Sequence, residues 1–446
     1  MSFQDYKPHV RPNFFLAYPV MLSMLGQVMT GVADSVMVGW TGAIPLAASS
    51  FANIFFVIPL FFGVGVTYAI TPLVAQAEGS NEQFKIVDTL KNGSLINLIT
   101  ALVLVLIIFS IQPFMGFMGQ PAEVVSLAIP YLSIIAISII PTMIFQTYRQ
   151  FAEGLQRTRM AMVIVIGCNL LNVLLNYLLI FGKLGFPELG LNGAGWATLI
   201  SRTMMALSMM LYILWGKKFL PYREGFSVGG YSLVLIKKML HIGLPAGSQF
   251  IFETAAFGFS AIMMGWIGTT ALAAHQIAIN LATISYMTTS GLGAAATIRV
   301  GNFHGQRDTY NLRASAFAMI WMAVCIMALW ALLFIIGRFY LPTLYIDDLE
   351  VIELTASLLI IAAFFQLSDG IQVVTAGALR GLQDVKIPSL LILGAYWAIA
   401  LPLGYVLAFP LKMGPTGIWI GLFIGLTLTA AAMIVRFRRL SRNTLF

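Results

Sequence analysis

His241 to Gln276 reads HIGLPAGSQFIFETAAFGFSAIMMGWIGTTALAAHQ. Its apolar run is long enough to cross a bilayer, which takes about 20 residues of helix. Glu253 nevertheless sits near the middle, roughly 20 Å of helix short of the Gly265 to Gly268 turn at ~1.5 Å per residue. A carboxylate at that depth costs several kcal/mol, so such residues are kept chiefly to bind ions, relay protons or face a watery cavity.

The rest of the chain has the same solvent preference. It is 446 residues long, 59% hydrophobic and 9% charged, with mean hydropathy +0.90; a soluble domain carries about a quarter charged residues. Twelve apolar segments are expected to span a membrane, at about 13–39, 45–77, 89–112, 124–151, 160–181, 191–215, 239–266, 271–302, 314–338, 354–380, 388–410 and 414–435. The opening MSFQDYKPHVRPNFF has no signal-peptide pattern, so the first segment is read as a span.

Basic residues set the expected orientation. Only Lys183, Arg338 and Lys412 fall on one side and Arg202 falls within a span; the others, among them Arg149, Arg157, Lys217, Lys218, Arg223, Arg299, Arg380 and Arg436, fall on the side of the two termini. The positive-inside rule makes that side the cytoplasm. The formal charge of +8 is thus an orientation signal with no nucleic-acid partner implied.

From Met37 to Gly79 the sequence matches Met263 to Gly305 at a constant offset of 226. Met37, Gly39, Trp40, Gly42, Gly65, Thr71 and Gly79 recur as Met263, Gly265, Trp266, Gly268, Gly291, Thr297 and Gly305. Farther on, EGLQRT at Glu153 answers RGLQDV at Arg380, one residue out of register. Each copy holds six spans, so the copies share an orientation about an axis along the membrane normal. The expected fold is an all-α polytopic membrane protein with two pseudo-symmetric six-helix lobes, residues 1–220 and 221–446, around a central cavity. The basic, glycine-rich loop at about 216–238 joins them.

Three acids lie inside spans: Asp34, Glu253 and Asp369. At the repeat offset Asp34 meets Ser260 and Glu253 meets Gln27, so neither has an acidic mate and the copies are expected to perform different tasks. In the fifth span Asn169, Asn172 and Asn176 share one helical face. That stripe suits either carbonyl ligands for an ion or water, or hydrogen bonds between helices. Arg202 in the sixth span is expected to pair with a carboxylate or carbonyl. His9, His241, His275 and His304 have no metal-site spacing and are read as interfacial or structural, and Cys168 and Cys325 as packing residues. The acidic run at Asp347, Asp348, Glu350 and Glu353 is read as a solvated face.

GVADSVMVGW with Asp34, FGKLGFPELGLNGAGWATLISR, GLPAGSQFIFE ending at Glu253, LAAHQIAIN, and SDGIQVVTAGALRGLQD with Asp369 occur in that order along the chain. Together with the duplication they resemble the multidrug and toxic compound extrusion (MATE) transporters, in particular the NorM-type bacterial branch. The resemblance implies a V-shaped cavity between two lobes and export of cationic, amphipathic compounds driven by inward Na⁺ or H⁺. It makes Glu253 and Asp369 the second-lobe cation site, holding Na⁺ if sodium is the coupling ion, and Asp34 the first-lobe acid. It puts Phe365 where some relatives have an aromatic beside the ion. Where a related branch has a second acid on the fifth span, this chain has Asn176.

The expectation is a monomeric, cation-coupled drug antiporter of the bacterial inner membrane, with no cofactor beyond the coupling ion. Asp34, Asn172, Asn176, Phe365 and Gln366 are the candidates for its substrate cavity. A flippase or exporter of lipid-linked or anionic solutes would want several basic residues in the cavity, and only Arg202 is available. An intramembrane enzyme is disfavoured because no HExxH-type motif is present.

Overall fold

The computed structural model describes residues 3–222 and 230–443; Arg223 and its neighbours in the linker lie outside the described residues. Every regular element among them is helical. In chain order these are α1 (Phe3–Gly39), α2 (Ala43–Thr67), α3 (Ile70–Gly79), α4 (Gln83–Ile111), α5 (Ala122–Ile137), α6 (Ile139–Gly154), α7 (Arg159–Phe181), α8 (Leu191–Trp215) and α9 (Leu233–Ile267). There follow α10 (Thr269–Gly305), α11 (Thr309–Gly337), α12 (Leu349–Gly381), α13 (Lys386–Leu393), a π-helical turn (Gly394–Ala400), α14 (Leu401–Ala408) and α15 (Pro415–Asn443).

Eleven segments are long and apolar enough to cross a membrane among the described residues. Two of them are broken mid-course by proline. Pro72 has no N–H to offer Tyr68, where α2 gives way to α3, and Pro141 has none for Ile137, where α5 gives way to α6. The expected eighth span is α10, equally long but rich in Thr, Ser, Gly and Ala, so it reads as less apolar than the rest.

The duplication is written in the backbone. Six non-glycine residues have positive φ, and they fall into pairs: Asn81 with Arg307, Gln156 with Gln383, and Leu184 with Lys412, at offsets of 226, 227 and 228. Gly42 and Gly268, also 226 apart, both start a helix with φ of 128° and 156°, a region that favours glycine. Thr71 Oγ1 donates to the Gln150 carbonyl at 3.1 Å, and its counterpart Thr297 donates to the Gly377 carbonyl at 2.9 Å.

Packing divides the chain along a different line from the repeat. One compact unit is Leu22–Gly247; the other is Met1–Met21 with Ser248–Phe446. The two cut points inside α1 and α9 are again 226 residues apart. Within the first unit, Gly65 of α2 meets Gly247 of α9 so closely that a Cβ would fall 2.5 Å from its Cα. Within the second unit, Gly291 of α10 meets Ala17 and Met21 of α1 in the same way, and Asn13 of α1 donates to the Ser315 carbonyl at 3.1 Å. The first unit has its core in Phe51, Phe56, Leu104, Ile135 and Met143, and the second in Leu16, Leu292, Met319, Leu358 and Trp419.

Candidate functional site: two buried acid centres

In the second unit, α9 and α12 bring Glu253 and Asp369 together in a three-layer arrangement. One turn beyond Glu253 lies Phe257, one turn before Asp369 lies Phe365, and these rings meet edge-on with centroids 6.3 Å apart. Trp419 backs Phe365 at 5.9 Å and Tyr396 packs on Phe257 at 5.7 Å. One turn to the other side of the acids lie two amides. Gln372 Nε2 donates to Glu253 Oε1 at 3.2 Å, and Gln249 Nε2 donates to the same oxygen at 3.3 Å. The acids therefore sit between an aromatic layer and an amide layer, near enough for their charges to interact.

The pair is unequally served. Glu253 is half-buried with two amide donors, whereas Asp369 is buried at 7% exposure and has no hydrogen-bond donor among the described residues. Buried carboxylates are ordinarily paired or hydrogen-bonded. Gln366 is fully enclosed with both polar ends unpartnered, as are Gln372 Oε1 and Thr375 Oγ1 on the same helix. No three His, Cys, Asp or Glu side chains converge among the described residues, so the centre is two carboxylates with amide and phenol groups around them.

The first unit holds the other acid. Asp34, on α1 five residues before Gly39, accepts from Asn176 Nδ2 at 2.5 Å. Asn176 also reaches Asn172 Oδ1 at 3.2 Å, and Asn172 donates to Ser201 Oγ at 3.3 Å. Arg202 follows on α8. Its Nη1 donates to Ser138 Oγ at 2.8 Å, at the break between α5 and α6, and its guanidinium lies 5.2 Å over the Phe56 ring. Arg202 and Tyr131 both lie within electrostatic reach of Asp34. The asparagine stripe is thus engaged in a hydrogen-bonded chain that ends on an acid, while Asn169 faces Gly26 of α1.

Some sequence readings are refined by these surroundings. His275, read as interfacial or structural, takes a structural place: it is 1% exposed and packs on Trp419 at 5.7 Å. Asp348 is more than a solvated charge, since it caps α12 by accepting from Glu350 and Val351 N–H. Arg149, counted only as a basic residue on the side of the termini, is 1% exposed and paired with Glu153 at 2.6 Å. Gln249, Gln372, Tyr396, Tyr131 and Ser138 were not singled out by the sequence. A neutral amide or hydroxyl in a span carries little desolvation signal, and their partners are distant in sequence.

The match to known proteins decides the family. The MatE family model matches residues 19–178 and 245–406, most of both repeats. The chain belongs to the MATE family. This MATE chain is 34% identical to the multidrug resistance protein NorM of Photobacterium profundum over 440 residues, 97% of the chain and 96% of the relative. It is 35% identical to a probable NorM of Agrobacterium fabrum, covering 96% and 93%. Its fold is that of a crystal structure of MATE in a bent conformation, with TM-score 0.90 at 20% identity over 99% and 97% of the two chains. It also matches the eukaryotic MATE transporter AtDTX14, with TM-score 0.86 at 19% identity over 99% of both. This MATE chain is a polytopic membrane transporter of the NorM type and not an enzyme.

Proposed function

We propose that this MATE transporter is a multidrug exporter driven by inward flow of Na⁺ or H⁺. It carries cationic, amphipathic compounds from the cytoplasm by alternating access. Residues 1–220 and 221–446 act as the moving lobes, in the bacterial inner membrane, with both termini cytoplasmic and the chain working as a monomer.

The observation that carries the reading is Asp369, a carboxylate 7% exposed, without a hydrogen-bond donor among the described residues and beside a second carboxylate. A positive charge arriving from outside supplies what that pair lacks. Asp34, on its Asn172–Asn176 shelf, serves as the second acid for protons or cationic substrate. Phe365 and Gln366 form the wall behind the Glu253–Asp369 pair on the path of substrate. The names of the relatives support drug export. A ligand shifts a two-state equilibrium only through unequal affinity for the two states, so ion and drug prefer opposite arrangements of the lobes.

Export of anionic or lipid-linked solutes is disfavoured because Arg202 already serves Ser138 and lies near Asp34. Efflux from cells expressing Glu253→Gln or Asp369→Asn tests the proposal. Both variants are expected in the membrane at normal abundance with efflux lost, and normal efflux in both ends the assignment.

A further inference from the structure

Between Leu393 and Leu401 the chain leaves α-helical winding for a π turn, Gly394–Ala400, where Leu401 N–H bonds the Tyr396 carbonyl five residues back. Pro402 follows and has no N–H to give Ala398, so the ordinary ladder cannot be completed at this point. π turns of this kind recur at functional sites. This one delivers two side chains to α9. Trp397 Nε1 donates to the Phe252 carbonyl at 3.1 Å, fastening the turn to the residue before Glu253. Tyr396 enters the acid centre itself.

The ring of Tyr396 packs on Phe257 at 5.7 Å, in the aromatic layer, and its hydroxyl end faces Gln372, in the amide layer. A side chain that joins those two layers passes alongside the acids between them. Both Glu253 and Asp369 lie within electrostatic reach of it, and only 1% of its surface is exposed. A buried tyrosine keeps its hydroxyl where that group finds polar partners.

We infer that Tyr396 is a third member of the Glu253–Asp369 centre, a neutral oxygen ligand that makes the centre competent for a sodium ion. The inference rests on the reading of that pair as the coupling-ion site. A hard cation sheds water only where several oxygens replace it. Two carboxylates alone leave it under-coordinated; the Tyr396 hydroxyl and the unpartnered Gln372 Oε1 extend the set. Phe257, Phe365 and Trp419 bring no oxygen to the centre. A proton needs one carboxylate oxygen and no such set, so the hydroxyl discriminates between the two driving ions.

The test uses the full chain in proteoliposomes, with efflux of a fluorescent organic cation driven separately by a sodium gradient and a pH gradient. Tyr396→Phe removes one oxygen and keeps the ring. It is expected to raise the sodium concentration for half-maximal efflux about tenfold, with proton-driven efflux within about twofold of the parent. Thermal unfolding in detergent is expected to stay unchanged. Trp397→Phe, which unfastens the turn, is expected to move the sodium response the same way and serves if Tyr396→Phe is unstable. An unchanged sodium curve in the folded variants, an equal fall under both gradients, or a parent that ignores sodium overturns the inference. If Glu253→Gln and Asp369→Asn transport normally, the reading of the acid pair falls first.

Discussion

Gln372 reaches from α12 to α9 and gives its amide N–H to Glu253 Oε1 at 3.2 Å, the same oxygen that Gln249 approaches from within α9 at 3.3 Å. Two donors on one oxygen fix the carboxylate between α9 and α12. The acid that provides charge is therefore held by neutral groups, and the acid without donors, Asp369, is the one that gains most from a bound cation.

Removing the cross-helix donor tests this division. Gln372→Leu is expected to weaken apparent affinity for sodium by about tenfold or more, the scale of ~1.5–3 kcal/mol for a hydrogen bond to a charged group. The measurement is efflux rate against ion concentration in vesicles. Gln372→Asn, too short to reach, should behave like the leucine variant, whereas Phe364→Leu on the exposed face of α12 should not.

Asn176 and Asn172 differ in what they touch, and transport should register the difference. Asn176→Leu deprives Asp34 of its 2.5 Å donor and is expected to reduce efflux by about tenfold. Asn172→Leu, which touches Asn176 and Ser201 but no acid, is expected to have the smaller effect. Efflux normalised to membrane abundance distinguishes them.

The two glycine crossings should be equally intolerant of a side chain. Gly65→Ala and Gly291→Ala each put a methyl group into a neighbouring helix, and overpacking of this kind costs about 1–3 kcal/mol. Both are expected to lower the unfolding temperature in detergent. Gly258→Ala, with nothing within 4 Å of its Cβ position, is expected to leave it unchanged or higher.

The Arg149–Glu153 pair lies almost wholly out of solvent, at 1% and 2% exposure. Breaking it from one side leaves an uncompensated charge, which costs about 3–5 kcal/mol, while replacing both partners by apolar residues is often neutral. Arg149→Met or Glu153→Leu alone is expected to abolish folded yield, and the double variant to restore most of it, read by fluorescence-detected size exclusion.

What could be read in the sequence followed from large single-residue free energies and from repetition. Asp34, Glu253 and Asp369 stood out because a charge in a span is costly without a reason, and the 226-residue offset foretold paired backbone turns such as Asn81 with Arg307. Packing between distant segments left no such trace. The first turns of α1 group with the second half through Ala17, Met21 and Asn13, contacts made by small or neutral residues that any membrane helix carries. Tyr396 was hidden for another reason: its role depends on one extra residue in a helical turn, which periodicity read at 3.6 residues cannot register. Arg149 and Glu153 had the right spacing for a helical pair, but only the fold decides that such a pair is enclosed.

The central claim is that Glu253 and Asp369 exist to receive the driving cation. The most direct measurement is efflux of a fluorescent organic cation from proteoliposomes under sodium and pH gradients imposed one at a time, for the parent chain, Glu253→Gln and Asp369→Asn. The account predicts efflux in the parent under at least one gradient and none above leak in either variant under both. Gradient-driven efflux at the parent rate in both variants would contradict it.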